Sequence, residues 1–223
     1  MTSLRNVTGC QFCAPAHHEV LLETENAFVL ADIRPLCVGH VLVTPKQHVR
    51  AALSTGAQGV LEVGRRVATA MQQITGEAGI YEHGGHPICR PGSCRTGPIH
   101  AHLHVLPFAE DISSIWRDEV RQTYATRPLV SARPMEHYLL QELHSGSLDF
   151  SNELEASMLP AVVPPHFVRR LLSRAMAERR HAWIPHGAQQ HQHEAAVGQT
   201  FKLFAEFRLA DSECGAATTV RAA

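Results

Sequence analysis

The sequence lacks an excess of charge of either sign. Its 20 lysines and arginines nearly balance 21 aspartates and glutamates, so the formal net charge is -1 at pH 7. Because sequence-independent binding to nucleic acid or to an anionic membrane requires a clear excess of basic residues, we expect neither as a partner. Any partner must therefore be recognised by a local site.

Long hydrophobic runs are also missing. No apolar stretch approaches the ~20 residues that a membrane-spanning helix needs, and the first residues, Met1–Gly9, lack the hydrophobic core of a signal peptide. With 44% hydrophobic and 18% charged residues over 223 positions, the chain has the composition of a globular protein that can bury a core. We therefore expect a cytoplasmic protein.

The six cysteines do not suggest a disulfide framework, because in a long chain from a reducing compartment cysteines more often serve as free thiols or metal ligands. Cys10 and Cys13 form a C-x-x-C pair, which is typical of half a zinc site or of a redox pair. A redox pair should open a helix, whereas Pro15 and a strand-like segment follow here, so the pattern favours zinc with two further ligands from elsewhere. Cys89 and Cys94 could form a second metal site, although their spacing matches no familiar pattern.

The chain contains 16 histidines, and three of them alternate with apolar residues. Within Ile99–Pro107, His100, His102 and His104 are each separated by one apolar residue. Period-two alternation predicts a strand, which would place the imidazoles on one face about 6 to 7 Å apart and the apolar residues on the opposite, buried face. Imidazole can act as a nucleophile, a proton shuttle or a metal ligand. Three in register predict a functional site and leave these roles open.

Alternation and helical periodicity predict the remaining elements. Before the histidine segment they indicate three strands and an amphipathic helix, at Val20–Leu22, Ala27–Ile33, Gly39–Pro45 and Thr55–Glu77, with a further strand beginning at Ile80. After it they indicate helices at 112–124, 166–180 and 194–207, a strand at 137–141, a polar loop at 145–157 and a frayed tail at 211–223. The second of these helices carries arginines typical of a solvated face: Arg169, Arg170, Arg174, Arg179 and Arg180.

Several segments of the first half resemble the histidine triad superfamily. His100–Leu106 matches its signature, in which three histidines alternate with hydrophobic residues, and Gly39–His48 and Phe28–Pro35 resemble the segments that precede that signature. Tyr81–Gly84 is similar to a motif of a bacterial, adenylyltransferase-like branch with a C-terminal extension. Together the matches span residues 10–108, about half of the chain.

The resemblance implies an α+β fold, in which an antiparallel sheet of about five strands carries a long helix on one face, commonly as a dimer. On this basis we expect residues 1–108 to form a catalytic core, residues 109–210 a mainly helical C-terminal extension, and residues 211–223 a flexible tail. We also expect a homodimer that binds a nucleotide or a nucleotidyl conjugate.

The resemblance implies nucleotide chemistry at an α-phosphate. His102, the middle histidine, would be the nucleophile of a covalent nucleotidyl-histidine intermediate, and His104 and His40 would bind phosphate oxygens beside it. Asp32 would hold the ribose hydroxyls, and Ile33 would form a wall of the base pocket. Family members with an N-terminal C-x-x-C hold a structural zinc, and the matching ligands here are Cys10, Cys13, His48 and His100.

The segment before the triad departs from the family pattern. Many triad hydrolases carry Gly-Gln-Ser there, whereas this chain has Arg95, Thr96 and Gly97, so Arg95 or Thr96 would meet the leaving group. His83 would lie near the phosphates. The leading hypothesis is a nucleotide hydrolase, because the third histidine is intact where the transferase branch has glutamine. The alternatives are a nucleotidyltransferase or phosphorylase with a phosphate-bearing acceptor, and a non-catalytic zinc-stabilised nucleotide-binding protein.

Overall fold

The described residues of this chain form one antiparallel sheet of eight strands with four α-helices. In the computed structural model, these residues are 10–53, 57, 59–85, 100–124, 137–145, 155–158, 166–185, 187–205 and 219–220. The strands are β1 (Val20–Glu23), β2 (Ala27–Ala31), β3 (Val41–Pro45), β4 (Glu77–Gly85), β5 (Leu103–Leu106), β6 (His137–Ser145), β7 (Glu155–Met158) and β8 (Thr219–Val220). The helices are α1 (Val60–Thr75), α2 (Ser113–Tyr124), α3 (Phe167–Glu178) and α4 (Gln190–Ala205). The strand order is β7-β6-β4-β5-β3-β2-β1-β8.

The predicted α+β fold is confirmed, since the first half of the chain contributes β1 to β5 and the long helix α1. α1 is shorter than the predicted 55–77 because a glycine stands at each end. Gly59 and Gly76 have φ angles of 85° and 87°, in the left-handed region that glycine adopts without steric cost. The periodicity of the apolar residues located the helix, and the glycines set its ends.

α1 packs its apolar stripe against one face of the sheet. Val60, Val63, Val67 and Met71, spaced three or four residues apart, are all buried. The helix lies close to β5: a Cβ added at Gly64 would meet Cδ1 of Leu103 at 2.8 Å. This face therefore forms the main hydrophobic core of the protein.

Helices from the second half of the chain cover the opposite face. Phe167 and Leu171 of α3 share a buried cluster with Leu106 of β5. Because side chains alternate along a strand, Leu103 faces α1, whereas His104 and Leu106 face the side of α3. α3 thus packs on the same face of the sheet as the last histidine of the motif, whereas Phe204 of α4 belongs to the cluster on the α1 face.

The sheet is larger than the five strands expected from the first half. β6 pairs with β4 over nine residues, from Glu77↔Ser145 to Gly85↔His137. β7 pairs with β6 inside the predicted loop at 145–157, and β8 pairs with β1. A four-residue strand reading Glu-Ala-Ser-Met is too short to show a period. The division at residue 108 remains a prediction, and none of the described helices is long and apolar enough to cross a membrane.

The histidine strand is shorter than predicted. β5 begins at Leu103, so of the three histidines only His104 lies in the paired strand. Just before it, the Ala101 N–H donates to the Val49 carbonyl at 2.7 Å, outside the ladder. His100 and His102 are held instead by the side-chain contacts of the site.

Candidate active site and metal centre

His102 has its ring oriented by a backbone carbonyl. Its Nδ1 lies 3.0 Å from the carbonyl oxygen of His100. Because a carbonyl only accepts, Nδ1 must carry the hydrogen and donate it, which leaves the lone pair on Nε2. Burial lowers the pKa of His102 below 6.5 and so favours the neutral ring. The residue is only partly buried, so a ligand can reach it.

His40 and His104 form a hydrogen-bonded chain with a defined direction. The Leu36 N–H donates to Nδ1 of His40 at 3.0 Å, so the hydrogen of this ring is on Nε2. Nε2 of His40 lies 2.9 Å from Nδ1 of His104 and donates to it. His104 must then carry its own hydrogen on Nε2. Burial lowers the pKa of His40 to about 3, which keeps the chain neutral.

The same hydrogen bonds argue against a cation at these two histidines. The ligand atoms of Asp32, His40 and His104 lie within 4.8 Å of one another, a spacing that a metal site would also show. However, Nδ1 of His40 accepts a backbone N–H, and Nε2 of His40 shares a hydrogen with Nδ1 of His104, so three of the four ring nitrogens have no free lone pair. A metal ligand needs a free lone pair, so these contacts describe an ordered donor chain.

Asp32 is buried with its carboxylate already bonded. Oδ1 accepts the Arg34 N–H at 2.8 Å, Oδ2 accepts from Nη1 of Arg169, and Oδ2 lies 3.5 Å from Nδ1 of His40. Burial alone would raise the pKa of Asp32, but His40, Arg169 and the Arg34 N–H outweigh it and hold the pKa below its ordinary value. Asp32 is therefore an ionised group that ties α3 to the histidines.

Arg169 is the residue of this site that the sequence analysis missed. Its side chain is 16% exposed and donates to Asp32 and to the carbonyl of Arg34. The prediction of a solvated face is wrong for this arginine, although it holds for Arg170 and Arg179, whose side chains are each 51% exposed. Nothing in the sequence distinguishes Arg169 from its neighbours, because its contact depends on how α3 lies across the sheet.

Four predicted metal ligands meet at one point. The ligand atoms of Cys10, Cys13, His48 and His100 all lie within 4.8 Å of one another. Three sulfur–nitrogen distances are 3.3, 3.4 and 3.5 Å. A tetrahedral zinc with ordinary Zn–S and Zn–N bonds would hold sulfur and nitrogen about 3.6 Å apart, so the set fits zinc without rearrangement.

The tautomer of His100 also suits a metal ligand. Its Nε2 lies 2.7 Å from the Pro45 carbonyl and donates to it, which turns the lone pair of Nδ1 toward the two sulfurs. Burial lowers the pKa of this ring to about 4, so the nitrogen stays unprotonated. The Phe12 ring, which lies between the two cysteines in the sequence, packs 5.3 Å from the His102 ring. The metal set and the candidate nucleophile are therefore neighbours.

Of the other predicted site residues, Ile33 and His83 lie in the described part of the chain. Ile33 follows Asp32 and is 54% exposed, an unusual position for a large apolar side chain unless a ligand covers it. His83 lies on β4 with its ring 5.8 Å from that of Phe167 in α3. The predictions for Arg95 and Thr96, and for a second metal site at Cys89 and Cys94, fall outside the described residues.

Comparison with known proteins finds several similar proteins, which match between 42% and 92% of the chain. No protein-family model matches the sequence. Similar solved structures include a HIT-like protein from Bartonella henselae involved in cell-cycle regulation, 24% identical over 42% of this chain and 68% of that one, with a TM-score of 0.32. A zinc-bound histidine triad family protein from Mycobacterium smegmatis is 30% identical over 46% and 76%, with a TM-score of 0.35. A hypothetical histidine triad nucleotide-binding protein from Sulfolobus tokodaii is 14% identical over 92% and 100%, with a TM-score of 0.39.

A curated relative is more informative than these structures, whose TM-scores are low. It is an uncharacterized HIT-like protein of Borreliella burgdorferi, 32% identical over 107 residues. The matched region covers 44% of this chain and 74% of the relative. An identity of this size over most of the relative agrees with the triad motif and the α+β core. The chain belongs to the histidine triad family.

Proposed function

We propose that this protein is a nucleotide hydrolase that cleaves a nucleotidyl conjugate at its α-phosphate through a covalent intermediate on His102. The observation that carries the proposal is the hydrogen bond from Nδ1 of His102 to the His100 carbonyl. It commits the hydrogen to one nitrogen and presents the lone pair of the other, which is the form of imidazole that can attack phosphorus.

The proposed reaction has two displacements. First, Nε2 of His102 attacks the α-phosphorus, the N–P bond forms, and the leaving group departs with the electron pair of its own bond to phosphorus and is protonated by water. A water molecule then attacks the same phosphorus and loses a proton to solvent. The N–P bond breaks, its electron pair returns to Nε2, and the nucleoside monophosphate is released. The His100 carbonyl stabilises the positive charge that the ring carries in between.

His104 and His40 have different tasks in this proposal. The ordered chain from Leu36 through His40 leaves the hydrogen of His104 on Nε2, where it can donate to a phosphoryl oxygen. Both ring nitrogens of His40 are engaged by protein groups, so His40 acts by orienting His104. This indirect role differs from the phosphate contact that the family resemblance implies for His40, because protein groups occupy both of its ring nitrogens.

The nucleoside would bind beside this chain. Ile33 offers exposed apolar surface for the base, and Asp32 is the predicted ribose ligand. The carboxylate of Asp32 has Arg169 as its partner, so ribose binding there would share or replace that contact. His83, together with Arg95 and Thr96 from outside the described residues, remains a predicted phosphate or leaving-group contact.

We also propose that Cys10, Cys13, His48 and His100 bind a structural zinc. The sulfur–nitrogen distances support this proposal, as does the bond from Nε2 of His100 to Pro45. Zinc would fix the position of His100, and the carbonyl of His100 orients His102. The metal would then act by positioning the nucleophile, with no part in the bond changes.

Two other functions remain as alternatives. In a nucleotidyltransferase or phosphorylase, a phosphate-bearing acceptor would replace water in the second displacement. In a non-catalytic nucleotide-binding protein, His102 would bind without attacking. We also propose that the protein is a cytoplasmic homodimer, as the family resemblance implies, and sedimentation of the purified protein would test for the dimer.

The test of the proposal compares His102→Ala with wild type on a panel of adenylylated and guanylylated substrates. The variant should lose at least about 10⁴-fold in the rate of nucleoside monophosphate release, because the nucleophile is absent. His18→Ala, at an exposed histidine, is the matched control and should keep full activity. Early acid-free quenching should trap labelled nucleotide on wild type. Equal turnover by His102→Ala would refute the assignment, and absence of any covalent label would favour the binding protein.

A further inference from the structure

A cavity of about 500 Å³ opens between α2, α3 and the segments that follow β2 and α3. Its wall includes three arginines of α3, Arg169, Arg170 and Arg174, together with His166, Leu36 and Trp183. The function proposed above uses none of these side chains except Arg169.

The wall of the cavity carries a clear excess of basic groups. Against three guanidinium groups and the imidazole of His166 it has one carboxylate, that of Glu119. Guanidinium groups match the geometry of phosphate oxygens, which they bind through paired N–H donors. The carboxylates that pair with Arg169 and Arg174, those of Asp32 and Glu178, are not among the lining residues, so the lining itself is predominantly basic.

The ion pairs of these arginines leave donors for a ligand. Arg170 bonds to Glu119 through Nη2, and Arg174 bonds to Glu178 through Nε, at exposures of 51% and 45%. Exposed ion pairs of this kind contribute little free energy, so an anion with several charges can compete for both arginines. Arg169 differs, because its nearly buried pair with Asp32 fixes it as part of the wall.

Two residues of the cavity wall, Leu36 and Arg169, contact the candidate active site. Leu36 lines the cavity, and its N–H orients His40. Arg169 lines it as well and contacts Asp32, whose Oδ2 lies 3.5 Å from Nδ1 of His40. His40 in turn bonds to His104, and the rings of His104 and His102 are 4.9 Å apart. The positive charges of Arg169 and His166 act on His102, lowering its pKa after the larger effect of burial.

We propose that this cavity is a binding site for a multiply charged phosphate group, which arrives either with the leaving group of the substrate or with the acceptor. The inference rests on the proposed function only where it relates the bound phosphate group to the reaction at His102. Binding of the phosphate group can be measured without turnover. In this proposal the C-terminal extension contributes to specificity, because it selects substrates that carry charge beyond the α-phosphate.

Trp183 provides a direct readout of binding. It lines the cavity, and the backbone next to it is fixed by the bond from the Ile184 N–H to the Leu36 carbonyl at 2.6 Å. The sequence has two tryptophans, so Trp116→Phe leaves Trp183 as the single fluorophore. The Trp116 Nε1 has no hydrogen-bond partner among the described residues, so this background loses no bond.

Inorganic tripolyphosphate is titrated into the Trp116→Phe protein while Trp183 fluorescence is recorded. We expect saturable quenching, with affinity at least about tenfold weaker when Arg170→Ala and Arg174→Ala are combined. Arg179→Ala is the matched control, since it lies at the end of the same helix with the same 51% exposure but does not line the cavity. No fluorescence change at high tripolyphosphate, or equal affinities in the double variant and the control, would overturn the proposal.

A second measurement compares two substrates, a dinucleoside polyphosphate and a nucleoside phosphoramidate, whose leaving group has no phosphate. The double variant should lower kcat/KM for the polyphosphate at least about tenfold more than for the phosphoramidate. If the group instead arrives with the acceptor, wild type should form a nucleoside polyphosphate when pyrophosphate is present, and the double variant should form less. Equal losses on both substrates with no such product would overturn the cavity proposal. Absence of turnover by wild type on any substrate would refute the proposed hydrolase while the titration still decides the binding site.

Discussion

Replacing Glu82 with glutamine should change how the stability of this protein depends on pH. Glu82 on β4 is 1% exposed. Its Oε1 accepts the Ala52 N–H at 2.8 Å, and its Oε2 accepts the hydroxyl of Tyr138 at 2.5 Å. These bonds tie β4 and β6 to the segment that follows His48, a proposed metal ligand.

The magnitude follows from the pKa of Glu82. Burial raises it from the ordinary 4.5 to about 7, although the bonds from Tyr138 and Ala52 act in the opposite direction. Because the folded state holds this proton more tightly than the unfolded chain, its contribution to stability is complete below pH 4.5 and is lost as the pH rises through about 7. At about 1.4 kcal/mol per pH unit, the loss is ~3 kcal/mol.

Other groups titrate in the same pH range, so the quantity to measure is the difference in unfolding free energy between the variant and wild type. Buried His40, with its pKa lowered to about 3, acts in the opposite direction, because the unfolded chain takes up that proton below pH 6.5. Comparing the free energy of unfolding of Glu82→Gln with that of wild type cancels this contribution. The glutamine side chain cannot ionise, so the variant should gain ~3 kcal/mol relative to wild type as the pH rises from about 4 to about 9.

Urea denaturation followed by circular dichroism gives both free energies at each pH. Glu62→Gln, at an exposed glutamate of α1, is the matched control. If the difference between Glu82→Gln and wild type does not vary with pH, Glu82 ionises in the same pH range in the folded and unfolded states. The account of its burial would then be wrong.

Two further predictions concern the metal and the core. Purified protein should contain about one zinc per chain, and Cys10→Ser should lose it in an elemental analysis; a natively folded wild type without metal would contradict the zinc proposal. Leu103→Ala should lower the free energy of unfolding by ~3 kcal/mol, because Leu103 is fully buried. Gly64→Ala should destabilise the wild-type protein, because its new Cβ would lie 2.8 Å from Cδ1 of Leu103. In the Leu103→Ala protein the same substitution should be stabilising, because the new methyl group fills part of the cavity. If urea denaturation shows that the two effects are additive, the two positions do not touch.

His100 connects the proposed metal site with the candidate nucleophile His102, two roles that the alternating histidine motif does not distinguish. Its side chain faces the sulfurs of Cys10 and Cys13, and its carbonyl receives the hydrogen of His102. In the proposed mechanism, loss of zinc would disturb the nucleophile by moving this carbonyl. The effect of Cys10→Ser on kcat should therefore exceed its effect on KM, because Ile33, the proposed wall of the base pocket, lies outside the proposed metal set.

The amino-acid sequence by itself determined the core of the fold and, through its family resemblance, the set of candidate metal ligands. The hairpin, the strand that follows it, α1 and the three late helices all show a period that neighbours along the chain create, and the structure has an element at each of these places. The three alternating histidines and the C-x-x-C pair indicated the site, since spacing of this kind is local. The structure brings Cys10, Cys13, His48 and His100 together as the resemblance implied.

Only the tertiary structure decided how the parts of the site act on one another. The direction of the chain from Leu36 through His40 to His104 depends on which atoms approach within hydrogen-bond distance. Arg169 and Asp32 are 137 residues apart, and the cavity beside them exists because α3 packs across the sheet on the face of His104. Such contacts leave no periodic trace in the sequence, because they arise from the packing of distant elements and not from the spacing of neighbours.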